Sequence, residues 1–126
     1  MKTKQKGDIA VAKAVSYFIE KNEEVLFPFG DKQPYDLVIE RNKKFLKVQC
    51  KYTSHKSKYG IYLVPLRVMG GNRSRNASKK YERNDFDLLF VYAENGDMYE
   101  IPSDIWTKNK NCVSLGTLMY AYKINV

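Results

Sequence analysis

Two alternating runs constrain this chain more than any other feature. They are Tyr35-Asp36-Leu37-Val38-Ile39-Glu40 and Phe45 to Tyr52, separated by Arg41-Asn42-Lys43-Lys44. Runs of this length, rich in β-branched and aromatic residues and joined by a polar tetrapeptide, read as a β-hairpin. With Asn42 and Lys43 as the two loop residues, Leu37 opposes Val48, Ile39 opposes Leu46 and Asp36 opposes Gln49. Opposed residues point to the same side of a sheet. One face then holds Tyr35, Leu37, Ile39, Leu46, Val48, Cys50 and Tyr52, which is a core face. The other holds Asp36, Val38, Glu40, Phe45, Lys47, Gln49 and Lys51. A slip of one residue would move every side chain to the wrong face, so the sorting itself supports the register.

This register has a chemical consequence. Asp36 lies across from Gln49 with Cβ atoms roughly 5 Å apart, and Lys51 is the diagonal neighbour. A carboxylate and an amide oxygen can share a hard cation such as magnesium. An ammonium beside them can orient a water or stabilise charge on a phosphate. The same spacing also fits an Asp–Lys pair on a solvated sheet, and the pattern alone leaves both readings open.

The remaining segments read more simply. Residues 1–6 look like a frayed basic arm. Asp8 is placed to cap a helix of about 15 residues that ends at Lys21-Asn22. Val11, Ala14, Val15 and Phe18 line one face of it. Short strands are expected at Val25–Phe27, Gly60–Leu66, Phe86–Ala93 and Met98–Ile101, with a hairpin turn at Glu94–Asp97. Pro102–Trp106 suggests a short helix. From about 66 to 85 the apolar pattern lapses into a long basic loop, a length that usually signals function. The last 20 residues have no clear pattern.

Charge is unevenly distributed. Residues 41–84 hold 13 of the 22 Lys and Arg residues, against Glu82 as their one acid, so this segment carries +12 and the remainder −4, for a net charge of +8. A field so concentrated suits a polyanion partner, although a solvated basic face, RNA and anionic lipid remain open on charge alone. No apolar run approaches the roughly 20 residues of a membrane span. Met1–Lys6 leads into no signal-peptide core. Cys50 sits in the apolar strand pattern and Cys112 in a polar loop, with no CxxC spacing for structural zinc. A reduced, cytoplasmic compartment is the expectation. His55 is the single histidine, so a Ser-His-Asp site has little support and an ordinary exposed histidine is the simpler reading. Gly70-Gly71 lacks a phosphate-loop lysine and reads as a flexible loop.

Pro34-Tyr35-Asp36, a spacer of 12 residues and Gln49-Cys50-Lys51 together resemble the PD-(D/E)XK nuclease superfamily. Gly7-Asp8-Ile9, Phe29-Gly30-Asp31, Asp85 to Tyr92 and Tyr99-Glu100-Ile101-Pro102 extend the likeness over roughly residues 5–106. They resemble the bacterial branch that includes group I intron homing endonucleases. The resemblance implies an α/β (α+β) fold of the restriction-endonuclease type: one domain over 1–126, with a mixed β-sheet flanked by helices. It also implies hydrolysis of both DNA strands with Mg2+ or Mn2+. Asp36 would be the principal metal ligand, Gln49 would stand where the family usually has its second acid, and the backbone carbonyl of Cys50 would complete the protein's share of the shell. Lys51 would activate or position the attacking water. Relatives often carry a glutamate one turn into the helix. Here that position is Val11, which leaves Asp8 as the one accessory acid nearby.

The expected DNA contacts are Lys56, Lys58, Arg67, Arg73, Arg75, Lys79 and Lys80. Of these, Arg67, Arg73 and Arg75 are the base readers, because arginine pairs bidentately with guanine while lysine suits phosphates. Tyr52, Tyr59, Tyr62 and Tyr81 sit among these cations and suit backbone contact or stacking. One small site cuts one strand, so a homodimer or homotetramer on double-stranded DNA is expected. A structure-selective nuclease resembling Holliday junction resolvases, and a DNA-binding protein that has lost catalysis, are the alternatives.

Overall fold

The computed structural model of the chain describes residues 1–69, 78–80, 85–105 and 112–125. It opens with α1, Thr3–Glu20. The helix begins before Asp8: Lys2 occupies the N-cap with no side-chain bond, and Asp8 sits inside the helix. The basic arm is therefore helical. Lys4, Gln5 and Lys6 are good helix formers, and Ala10, Ala14 and Phe18 bury the face that anchors the turns before them. The other end falls where the sequence expects it. Asn22 takes a left-handed φ of 61°. Glu23 N–H then reaches Phe18 C=O at 3.0 Å, and Asn22 N–H reaches Ile19 C=O at 2.9 Å. That pair of bonds closes a helix in the Schellman manner.

Five strands follow in one sheet: β1 (Glu24–Leu26), β2 (Leu37–Arg41), β3 (Lys44–Thr53), β7 (Leu88–Ala93) and β8 (Met98–Pro102), side by side in that order. Leu37 pairs with Val48 and Ile39 with Leu46, the register read from the sequence. Asn42 and Lys43 both have positive φ, 53° and 67°, as a two-residue turn matching the strand twist demands. β3 runs antiparallel to β2 and parallel to β7, so the sheet is mixed. A parallel neighbour needs a long crossover, and the chain between β3 and β7 supplies it.

Both faces of the sheet are covered. On one, Leu37, Ile39, Val48, Cys50, Leu88 and Phe90 pack with Ala10, Ala14 and Phe18 of α1. The two alanines let the helix approach closely, and the Phe18 and Phe90 rings meet at 6.0 Å. On the other, Leu89, Val91, Tyr99 and Ile101 pack with Val64, Leu66, Phe86, Val113 and Leu115. This second layer is built from a two-stranded pair, β4 (Leu63–Pro65) with β9 (Cys112–Ser114), and from the 3-10 helix Thr117–Tyr122. The strand expected over Gly60–Leu66 is thus only three residues long. Cys112 lies in a strand rather than a loop, because Pro65 and Cys112 pair across it. A short 3-10 helix, Ser103–Ile105, stands where a helix was expected after Pro102.

Part of the expected basic loop is a ribbon. β5 (Arg67–Met69) and β6 (Ser78–Lys80) pair antiparallel, with Arg67 opposite Lys80 and Val68 opposite Lys79. Arg73, Arg75 and Tyr81 lie outside the described residues.

A mostly buried ion cluster ties the hairpin to the far side of the sheet. The Arg41 guanidinium donates to Glu23 through Nε, and through Nη2 at 2.9 Å. It donates to both Glu100 oxygens at 3.0 Å. Tyr17 of α1 and Lys21 at its C-cap close the cluster on Glu100. β3 and β7 separate Arg41 from Glu100 in the sheet order, so the contact requires the sheet to coil around α1. Among the described residues, no helix is long and apolar enough to cross a membrane.

Candidate active site

Asp36 stands one residue outside β2, which corrects the expectation that it is a strand residue opposite Gln49. Its backbone N–H turns to Val48 C=O at 2.8 Å, so the ladder ends in a bend. Tyr35 accordingly leaves the α1 face and packs with the opposite layer. The bend gives the Asp36 carboxylate a backbone partner: its Oδ2 accepts the Cys50 N–H at 2.8 Å. The side chain thus continues the pairing that the main chain has abandoned.

Gln49 lies on the opposite face of β3 from Val48 and Cys50 and is 8% exposed. Its Nε2 donates to the Cys50 carbonyl at 3.2 Å. Asp36 and the Gln49 amide therefore converge on the main chain of one residue, Cys50, with Lys51 next in sequence and half-buried.

Electrostatics follow from this burial. Desolvation raises the Asp36 pKa, and the Cys50 N–H and the Lys51 charge offset that only in part. Desolvation lowers the Lys51 pKa against the opposing pull of Asp36. Each group is moved toward its neutral form because each has lost water. A lysine so shifted is neutral more often than an exposed one, and only the neutral amine can accept a proton from a bound water. Burial, with the nearby Asp36 charge, pushes the Cys50 thiol well up. Cys50 therefore offers its carbonyl oxygen and not a thiolate.

These groups fit a hard divalent cation. A carboxylate, an amide and a backbone carbonyl are all oxygen donors. Oxygens bound to adjacent octahedral positions at about 2.1 Å from magnesium lie about 3 Å apart. The Gln49 amide sits at that distance from the Cys50 oxygen, and a half-turn of the amide presents Oε1 in place of Nε2. Among the described residues, no group of three His, Cys, Asp or Glu side chains could hold a metal. Asp36 is therefore the one anionic side chain in this donor set, and waters and phosphate oxygens would fill the rest of a magnesium shell.

The other candidates fall into three groups. Asp8 is an exposed helix residue paired with Lys4 at 3.7 Å, so it is neither the helix cap nor turned to the site. Val11 is half-buried and packs on the cluster that includes Val48 and Cys50. Lys56 and Lys58 are exposed just beyond β3, with their ammonium groups 4.9 Å from the Tyr62 ring centroid and 5.1 Å from that of Tyr59. Arg67, Lys79 and Lys80 lie on the β5–β6 ribbon. Sequence reasoning missed Tyr35, whose ring lies 5.9 Å from Lys47 Nζ. It also missed Lys6, which reaches Ser54 Oγ at 3.5 Å beyond the end of β3. Reading residues 1–6 as an arm hid that second contact, since only a helix starting at Thr3 brings Lys6 to the sheet.

Comparison with known proteins agrees with this fold. A family described as PD-(D/E)XK endonuclease matches residues 1–118. A solved structure, described as that of the bacterial homing endonuclease I-Ssp6803I, is 31% identical with a TM-score of 0.81. The alignment covers 98% of this chain and 89% of that one. No curated protein matches significantly. With the family matched over residues 1–118 and the fold shared across nearly the whole chain, the protein belongs to the PD-(D/E)XK endonuclease superfamily.

Proposed function

We propose that this protein is a sequence-specific DNA endonuclease of the homing type, which makes double-strand breaks by metal-dependent phosphodiester hydrolysis. The observation that carries the reading is the convergence of Asp36, the Gln49 amide and the Cys50 carbonyl beside a half-buried Lys51. Asp36 would be the charged ligand of such a metal, and Gln49 and the Cys50 carbonyl the neutral ones. A divalent ion held there would supply charge to offset the attacking and leaving oxygens. Lys51 orients the attacking water and, being neutral more often than an exposed lysine, is more available as a base for its proton. The β5–β6 ribbon supports DNA as substrate, because the major groove admits a two-stranded ribbon. Arg67 and Lys80 lie opposite each other on it, and the intervening Arg73 and Arg75 supply base contacts. Cutting both strands takes two sites, so the working form is a homodimer or homotetramer.

A second reading, a DNA-binding protein without catalysis, draws on the single carboxylate at the site. One experiment separates the two. A plasmid library of randomised duplex inserts is incubated with wild type and with Asp36→Ala in magnesium, and cut ends are recovered and sequenced. The proposal expects ends that share a motif with wild type alone. Recovery of none, with binding intact, supports the second reading. Preferential cutting of an added four-way junction would instead mark a structure-selective, resolvase-like nuclease.

A further inference from the structure

The end of β3 carries another basic surface, on the side of the sheet away from Lys51. Tyr52 and Tyr92 pair across β3 and β7, one residue beyond Lys51 and Val91. Their ring centroids are 5.9 Å apart. α1 lays a lysine on each ring: Lys6 Nζ is 5.6 Å from the Tyr52 centroid and Lys13 Nζ is 5.3 Å from that of Tyr92. Lys6 also reaches Ser54 Oγ, and beyond it Lys56 rests on Tyr62. Ammonium groups held on tyrosines thus run round the sheet end, from the helix to the loop after β3. The acids in this region are Asp8, paired with Lys4, and Glu94, just past β7.

Fold stability does not account for this arrangement. An exposed cation–π contact contributes only about 0.5–1 kcal/mol. Lys2, Lys4 and Lys6 also lie at the end of α1 where positive charge opposes the helix dipole. What the rings do is hold the lysine stems in place while the charged heads remain in water. Heads held in advance lose less entropy when they meet a phosphate.

We propose that Lys6 and Lys13, seated on Tyr52 and Tyr92, contact the backbone of the same duplex that enters the Asp36–Lys51 site. This rests on the DNA-cleaving reading above. Ammonium groups act here as point charges on phosphates, so the surface adds affinity without adding sequence preference.

The test is the salt dependence of duplex DNA binding, measured without metal on wild type and on Lys6→Gln/Lys13→Gln. Each lost phosphate contact lowers the slope of log affinity against log salt by about 0.9. The double variant should therefore lose about twelvefold less affinity than wild type between about 50 and 200 mM salt. Lys13→Gln alone should lower the slope by about half as much, and Lys6→Arg/Lys13→Arg should keep the wild-type slope. A glutamine variant with an unchanged slope overturns the proposal even if its affinity drops, because a loss at constant slope reflects a disturbed fold. A wild type whose DNA binding is absent or insensitive to salt would instead overturn the underlying reading.

Discussion

Asp36 shows how a single bend gives a side chain a role. Because the β2 ladder stops at Leu37, the carboxylate, and not a backbone carbonyl, receives the Cys50 N–H. Burial leaves its pKa raised. An acid with a raised folded pKa favours folding below its ordinary range, and that contribution is lost as pH rises through the folded value. At neutral pH the ionised carboxylate therefore opposes folding. Asp36→Asn keeps an oxygen for the Cys50 N–H and removes the charge. In the absence of metal it should melt higher than wild type at neutral pH, and the gap should close on acidification below the ordinary carboxylate range. Thermal melts across that pH window check this, and a variant that melts lower throughout would show that the carboxylate is not strained by burial. Lys51→Ala should slow cleavage by about 10²–10³-fold, as loss of one charge-stabilising donor does elsewhere, while DNA affinity changes little. Single-turnover kinetics on a recovered target would show it. The pattern of alternating residues identified both positions from sequence. It could not show the Asp36–Cys50 bond, because alternation assigns faces and is silent on where a ladder ends.

The elements were legible in proportion to their periodicity. The β2–β3 hairpin has six alternating residues on one arm and eight on the other, and its register came out as read from Leu37 to Arg41, while Tyr35 and Asp36 fell outside the ladder. The start of α1 did not, because Asp8 has the chemistry of a cap while the residues before it carry no apolar signal. Three-residue strands such as β4 and β9 leave almost no trace in sequence, since they form by pairing with each other across a long separation. The Arg41 cluster was equally hidden: Glu23, Arg41 and Glu100 come together only once the sheet coils. It makes a sharp prediction. Burial by itself would raise the Glu100 pKa, but the Arg41 guanidinium outweighs it and holds Glu100 below the usual glutamate range. A depressed acid contributes stability above its ordinary pKa and loses it as pH falls through the folded value. Arg41→Met, which strands two mostly buried carboxylates, should cost about 3 kcal/mol at neutral pH and less in acid. Urea unfolding at two pH values measures both parts, and a cost independent of pH would mean that packing, not charge, is what Arg41 contributes.

At the scale of the whole molecule, the charge imbalance fits a polyanion partner and the family pattern narrows that partner to DNA. The fold adds the arrangement: a catalytic candidate on one face of β3, a basic ribbon in the crossover after it, and lysines from α1 at the same end. On the proposed reading, in which each copy cuts one strand, the working form holds more than one copy. After subtraction of the DNA, the mass of its complex with a target duplex should be a whole multiple, two or more, of the 14.7 kDa chain, read by sedimentation. The central claim is that Asp36, Gln49 and the Cys50 carbonyl hold a divalent ion. It is tested most directly by titrating Mn2+ into the protein at neutral pH and following free ion by electron paramagnetic resonance. One ion per chain is expected in wild type, with tighter binding in Gln49→Glu, which restores a second negative charge, and loss of binding in Asp36→Asn. Equal binding by wild type and Asp36→Asn would contradict it.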